Sequence, residues 1–228
     1  MNYIDRLCDH PWKNGRNDTP FEAYVDGCEK ITDGCLEQLD VISEIRASLE
    51  KQISEFESGN PEACSKEQIE VIRLYKGFAD TETRLILFEL DFLIAYKHLL
   101  LSKTDWDYRF FVRRIYTLMH ETREGFVKPT GKAMNLLKET IGEDSFSGYE
   151  RNRKYMNQFF QNNDTLFKKV RDKSDAHKDD VEIQIKIIED ISVKDSRKLI
   201  EEFFDIISGL SVTLFPIFAT LLKYIKGL

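Results

Sequence analysis

The chain has 228 residues, 42% hydrophobic and 12% aromatic, enough for a real core and too apolar for wholesale disorder. Its net charge of −7 excludes a protein coated in basic surface for nucleic acid. Four cysteines, at positions 8, 28, 35 and 64, do not form the disulfide framework of a small secreted domain, and the polar stretch from Met1 to Pro20 lacks the apolar core of a signal peptide, so a reducing, cytoplasmic setting is expected.

The first nineteen residues read as an irregular segment. Thr19-Pro20-Phe21-Glu22 then reads as a helix start, with Thr as N-cap, Pro at the first helical position and Glu at N3. Phe21, Cys28, Cys35, Ile42, Leu49 and Phe56 recur every seven residues, with Ile31 and Ile45 supplying part of a second seam. The pattern predicts a long bundle helix over Pro20–Glu57, ended by Ser58-Gly59-Asn60-Pro61. Gly27-Cys28 and Gly34-Cys35 set small residues one heptad apart, where close approach of another helix is expected.

Ser65 and Gln68 form a capping-box pattern opening a second helix over Ser65–Leu101, with Ile72, Tyr75, Ala79, Ile86, Leu90, Leu93 and Leu100 at helical spacing. The short link from Ser58 to Cys64 makes the two long helices antiparallel neighbours. A third helix is predicted over Asp105–Glu124 and a shorter one over Gly131–Ile141, beyond Lys128-Pro129-Thr130. Residues 142–148 read as a loop, after which Ser147 and Glu150 open a fifth helix ending near Arg171. Val181 to Ile187 alternates apolar and polar, which alone is a strand signal. Lacking a partner strand, it reads as a short extended segment or a distorted helix.

A last helix is predicted over Asp195–Lys226. Within it Ile206 to Leu222 carries no charge, close to the lower limit of a membrane span. Pro216, Ser208, Gly209, Ser211, Thr213 and Thr220 dilute it, so it reads as a core helix buried on most sides rather than as a span. No linker, long repeat or low-complexity tract divides the chain. The expected architecture is all-α: one elongated helical bundle over residues 1–228, with two long antiparallel N-terminal helices and an apolar C-terminal helix.

Several familiar chemistries find no support. There is no P-loop, GxGxxG or HExxH pattern. Cys8, His10, Cys28 and Cys35 include metal-capable types, but structural zinc sites use tight ligand pairs, whereas Cys28 and Cys35 lie seven apart on an apolar seam. They read as buried free thiols, and no metal or other cofactor is expected. His98 and His120 each fall near a helix end and read as boundary histidines.

The densest chemistry lies in Arg171-Asp172-Lys173-Ser174-Asp175-Ala176-His177-Lys178-Asp179-Asp180. Arg is a permanent, fork-shaped phosphate binder, and His exchanges protons near neutral pH. Ser174, Asp175, Asp179 and Asp180 can bond local backbone and break a helix, which would let Arg171 and His177 face one cleft. Arg114 and His120 share the spacing inside a continuous helical pattern, where positions six apart diverge by about 120° and about 9 Å. Residues 151–178 hold eight basic residues, Arg151, Arg153, Lys154, Lys168, Lys169, Arg171, Lys173 and Lys178, against three acidic ones. That segment is net +5, leaving −12 for the other 200 residues, so a local phosphate-binding surface is compatible with an acidic whole.

The spacing resembles the Arg-x(4–6)-His signature of the HEPN superfamily, all-helical proteins that include metal-independent ribonucleases of toxin and phage-defence systems. A polar residue, Asp172, follows the arginine, as is usual in that family, and a small one, Ala176, precedes the histidine. The resemblance implies that His177 acts as general acid or base and that Arg171 holds the scissile phosphate of an RNA. It further implies a homodimer in which two motifs face each other, and an antitoxin or defence-system partner. Asp172 or Asp175 would orient His177. Asp179 and Asp180 repel phosphate, however, and many family members are inactive. The competing reading is a non-catalytic helical dimer or adaptor, using the heptad seam of the first helix or the apolar C-terminal one.

Overall fold

The computed structural model describes residues 21–59, 65–172 and 181–226, and every described element is helical. The segment 1–19, the Thr19-Pro20 cap, Cys8, His10, Asn60, Pro61, Cys64 and residues 173–180 lie outside the described residues. In chain order the helices are α1 (Phe21–Glu57), α2 (Lys66–Leu100), α3 (Asp105–Thr122), α4 (Lys128–Ile141), α5 (Ser147–Val170), α6 (Val181–Glu189) and α7 (Val193–Lys226). This is the all-α class that the recurrent 3.6-residue spacing predicts.

Local chemistry sets the boundaries. The Ser65 amide donates to Gln68 Oε1 at 2.9 Å while the Gln68 amide donates to Ser65 Oγ at 3.3 Å, a reciprocal capping box at the start of α2. Thr104 and Asp107 repeat the device ahead of α3, at 3.1 and 3.0 Å. The predicted break at Lys128-Pro129-Thr130 is absent: α3 runs through a π-helical turn, Arg123–Val127, directly into α4. Pro129 lacks the amide that would bond the Gly125 carbonyl four residues back, and Arg84 Nη1 donates to that carbonyl instead, at 3.3 Å. Gly142 adopts φ +91°, a left-handed conformation suited to glycine, and the loop after it tightens into a 3₁₀ turn, Asp144–Phe146, whose Phe146 is fully buried.

The alternation in Val181 to Ile187 resolves as helix, since α6 covers it entirely. Arg109 of α3 explains part of this. Its Nη1 donates to the carbonyls of Ile188, Glu189 and Ile191 at 2.6, 2.7 and 3.1 Å, satisfying the C-terminal carbonyls that a short helix leaves open.

The two N-terminal helices are antiparallel. Arg46 pairs with Asp80 at 2.7 Å, Glu50 with Lys76 at 3.4 Å and Glu57 with Arg73 at 3.1 Å, so numbers rise along α1 as they fall along α2. The seven-residue seam of α1 faces inward: Cys28, Cys35, Ile42 and Leu49 are all buried. The close approach expected at Gly27 and Gly34 does not occur, since a Cβ built at either would meet nothing within 4 Å. The neighbouring cysteines occupy the seam, and the glycines beside them lie off it.

The described residues fall into two compact units. The first takes in the described residues within Met1–Cys35, Phe88–Thr122 and Gln158–Asp205. Its core is aromatic: Phe159 lies 5.6 Å from Phe160, 5.6 Å from Phe167 and 5.7 Å from Phe203, and Phe92 lies 5.5 Å from Phe203. The second draws on Leu36–Leu87, Arg123–Asn157 and Ile206–Leu228. There α5 and α7 approach closely at Gly209, where a Cβ would stand 3.1 Å from Asn152 Nδ2, which donates to the Gly209 carbonyl at 2.8 Å.

Helix α7 departs from the expectation of burial on most sides. Ile206, Ile207, Leu210, Leu214, Ile217 and Leu221 form a buried stripe, whereas Val212 is 72% exposed. Only 35% of its most apolar window is buried, and by length and composition the helix is long and apolar enough to cross a membrane. The spacing i, i+3, i+4 buries one face of a helix and leaves the rest open, which uncharged composition alone does not reveal.

Candidate functional site

Helix α5 carries the basic residues. Its inner face buries Tyr149, Met156, Phe159, Phe160, Phe167 and Val170, which fixes which side chains point outward. In the first unit Lys168 and Lys169 are exposed in the last turn, where cations favour the negative end of the helix. The chain continues as a π-helical turn through residues 171–172. Arg171 is half-buried there, its side chain 41% exposed, and its Nη1 donates to Asp172 Oδ1 at 2.9 Å. Asp172, assigned from sequence to orient the histidine, directs its carboxylate to Arg171. Lys173, Asp175, His177 and Lys178 lie outside the described residues.

The other basic residues belong to the second unit. Arg151 and Lys154 are exposed, whereas Arg153 lies over Gly131, where a Cβ would meet its Nη2 at 2.8 Å. Among the described residues, the basic side chains of this segment therefore form a C-terminal group, Lys168, Lys169 and Arg171, and an N-terminal group, Arg151, Arg153 and Lys154, placed in different units.

The other Arg/His pair resolves as helix geometry requires. Arg114 is exposed and His120 is buried, both within α3. His120 Nδ1 stands 3.1 Å from Asp164 Oδ1, so an imidazole and a carboxylate from α3 and α5 meet in the first unit. The sequence reading treats His120 as a boundary residue. A separation of 44 residues leaves no local signal for this pair. A carboxylate on one ring nitrogen fixes the tautomer, which suits acid–base work when the other nitrogen reaches substrate. His120 is only 9% exposed, so the arrangement serves packing first.

His98 is exposed, with its ring stacked on Phe111 at 5.3 Å. It borders a surface groove of about 360 Å³ lined by Glu29, Thr32, Asp33, Ile94 and Lys97. Lys97, which shares that lining, is paired with Glu29. Cys28 and Cys35 are free, buried thiols, and desolvation pushes each up to about 11, away from thiolate chemistry near neutrality. Among the described residues no group of three or more His, Cys, Asp or Glu could hold a metal ion.

Fold and site together define an all-α chain with a cationic terminus on α5. Compared with family models, curated proteins and solved structures, it matches none of them.

Proposed function

We propose that the chain is a HEPN-like protein that engages RNA phosphate at the end of α5 and acts as a metal-independent endoribonuclease of a toxin or phage-defence system. The observation that carries the reading is the half-exposed Arg171 guanidinium following the exposed Lys168 and Lys169 in one helix turn. Three cations on four residues give a phosphate backbone an electrostatic anchor, and only arginine offers two parallel donors to the same phosphate. Arg171 holds the scissile phosphate and stabilises the charge that develops on it. His177 moves the proton at the 2′-oxygen or at the leaving oxygen. A single histidine does not serve both oxygens at once, so a homodimer with facing motifs supplies the second. The buried, reduced thiols suit work in the cytoplasm.

The test is incubation of purified protein with mixed RNA in EDTA, beside His177→Ala. Cleavage that persists in EDTA and disappears in the variant supports the reading. Cleavage that survives the substitution moves the site elsewhere.

A second reading is a non-catalytic helical interaction module, and the Arg171–Asp172 pair favours it. An arginine already neutralised by its neighbour has less to offer a phosphate. In that case the protein binds a partner chain and leaves RNA intact.

A further inference from the structure

Within the first unit, α2 turns one face to solvent. Asp91, Ile94, His98 and Leu101 follow one another at intervals of three, four and three, which sets them on one stripe. All four are exposed, Ile94 by 51% and Leu101 by 46%, whereas Phe92, Leu93 and Leu99 of the same stretch are buried. Ile94 and His98 also border the open groove of about 360 Å³ beside α1. The His98 ring stacks on Phe111 at 5.3 Å and 14°, so its plane is held while its nitrogens stay at the ring edge. Among the described residues no hydrogen bond or ion pair engages those nitrogens or the Asp91 carboxylate.

A narrow apolar stripe at this spacing is the seam by which one helix packs on another. The order of its polar groups says which helix. Asp91 and His98 stand one heptad apart, with Ile94 beside their midpoint. Laid against a reversed copy of itself, the stripe sets each Asp91 opposite the other copy's His98. The same register brings the two Ile94 side chains together, so the polar and apolar parts of the stripe select one alignment. A parallel copy would instead set carboxylate against carboxylate, which is costly. A pattern that complements itself on reversal is what a two-fold contact needs, because residue i then meets j while j meets i. We propose that α2 pairs antiparallel with α2 of a second copy of this chain, with Ile94 at the axis and an Asp91–His98 hydrogen bond on either side. The proposal goes beyond the RNA reading and stands without it, since association is read with no RNA present.

The test is sedimentation equilibrium of the full chain. Contact along about two heptads is smaller than a standard interface, so a dissociation constant of about 10–100 μM is expected. Ile94→Glu sets two carboxylates at the axis and should weaken association about tenfold or more. Asp91→Lys and His98→Glu should each weaken it about threefold or more, because each removes both hydrogen bonds. Mixing those two variants sets a cation opposite a carboxylate at one pair and keeps histidine opposite aspartate at the other. The mixture should therefore associate about as tightly as the unaltered chain. Circular dichroism checks the fold of each variant, and all three positions are exposed. A chain that stays monomeric at about 200 μM overturns the proposal without any variant. So does association that Ile94→Glu leaves unchanged, or a mixture that associates no more tightly than its two components.

Discussion

Arg109 Nη1 stands 2.6 Å from the Ile188 carbonyl oxygen, joining α3 to the C-terminus of a nine-residue helix 79 positions away. Its Nε meanwhile donates to Asp105 at 2.8 Å, which holds the guanidinium in place. Isolated helices this short are unstable in water, so α6 depends on contacts of this kind.

Replacing Arg109 by Met therefore removes a charge-assisted cap while keeping an apolar stem. The expected loss is about 2 kcal/mol of global stability, the scale of a hydrogen bond from a charged donor. Amide exchange should rise selectively in residues 181–189. Unchanged denaturant midpoints and unchanged protection there would show that α6 stands without the cap.

The aromatic core of the first unit yields a second prediction. Phe159 touches Phe160, Phe167 and Phe203 and is 2% exposed. Phe159→Ala should cost roughly 3–5 kcal/mol, because three packed rings cannot collapse into the space left. Phe110→Ala should cost far less, since Phe110 is 49% exposed. Chemical denaturation of the two variants measures the contrast, and similar losses would contradict the burial pattern.

How far these features were legible in the sequence depends on the distance over which the deciding interactions act. Capping is local, so Ser65 and Gln68 announced the start of α2. The heptad seam of α1 is also local, and Cys28, Cys35, Ile42 and Leu49 are buried as spaced. Helix α6 was ambiguous because its period-two pattern is overridden by Arg109, which no window around 181–187 contains. The His120–Asp164 pair was missed for the same reason. Glycine misled at positions 27 and 34, since a small residue permits close approach without producing it. Of the candidate site, the cations on α5 could be placed by helical period. The partner of Arg171 could not, because Asp172 had two plausible targets within the same ten residues.

The buried thiols give a pH prediction. Cys28 and Cys35 are each raised by desolvation from 9.0 to about 11, and Tyr108 from 10.0 to about 12. A raised pKa means that the fold favours the protonated form. This contribution is fully present below the unfolded values and is lost as pH climbs through 9–11 for the thiols and 10–12 for the phenol. Stability should therefore fall above pH 9 with no counterpart near neutrality from these groups. In a Cys8→Ser, Cys64→Ser background, alkylation of the remaining thiols at pH 8 should be slow until denaturant is added. Rapid native-state labelling would show that α1 opens readily.

The Arg171–Asp172 pair separates the two functional readings. If Arg171 binds RNA phosphate, Asp172 competes with that phosphate for the guanidinium. Asp172→Asn should then tighten RNA binding by up to about fivefold, the worth of an exposed ion pair. Arg171→Lys should weaken binding and cleavage together, because lysine keeps the charge and loses the fork. Lys168→Gln should lower the dependence of log affinity on log salt by about 0.7, one phosphate contact on a single strand. Fluorescence anisotropy with a labelled single-stranded RNA, across a salt series, measures all three. If the chain is instead a helical interaction module, none of these substitutions alters RNA affinity. Asp172→Asn then costs at most about 1 kcal/mol of stability and changes nothing else.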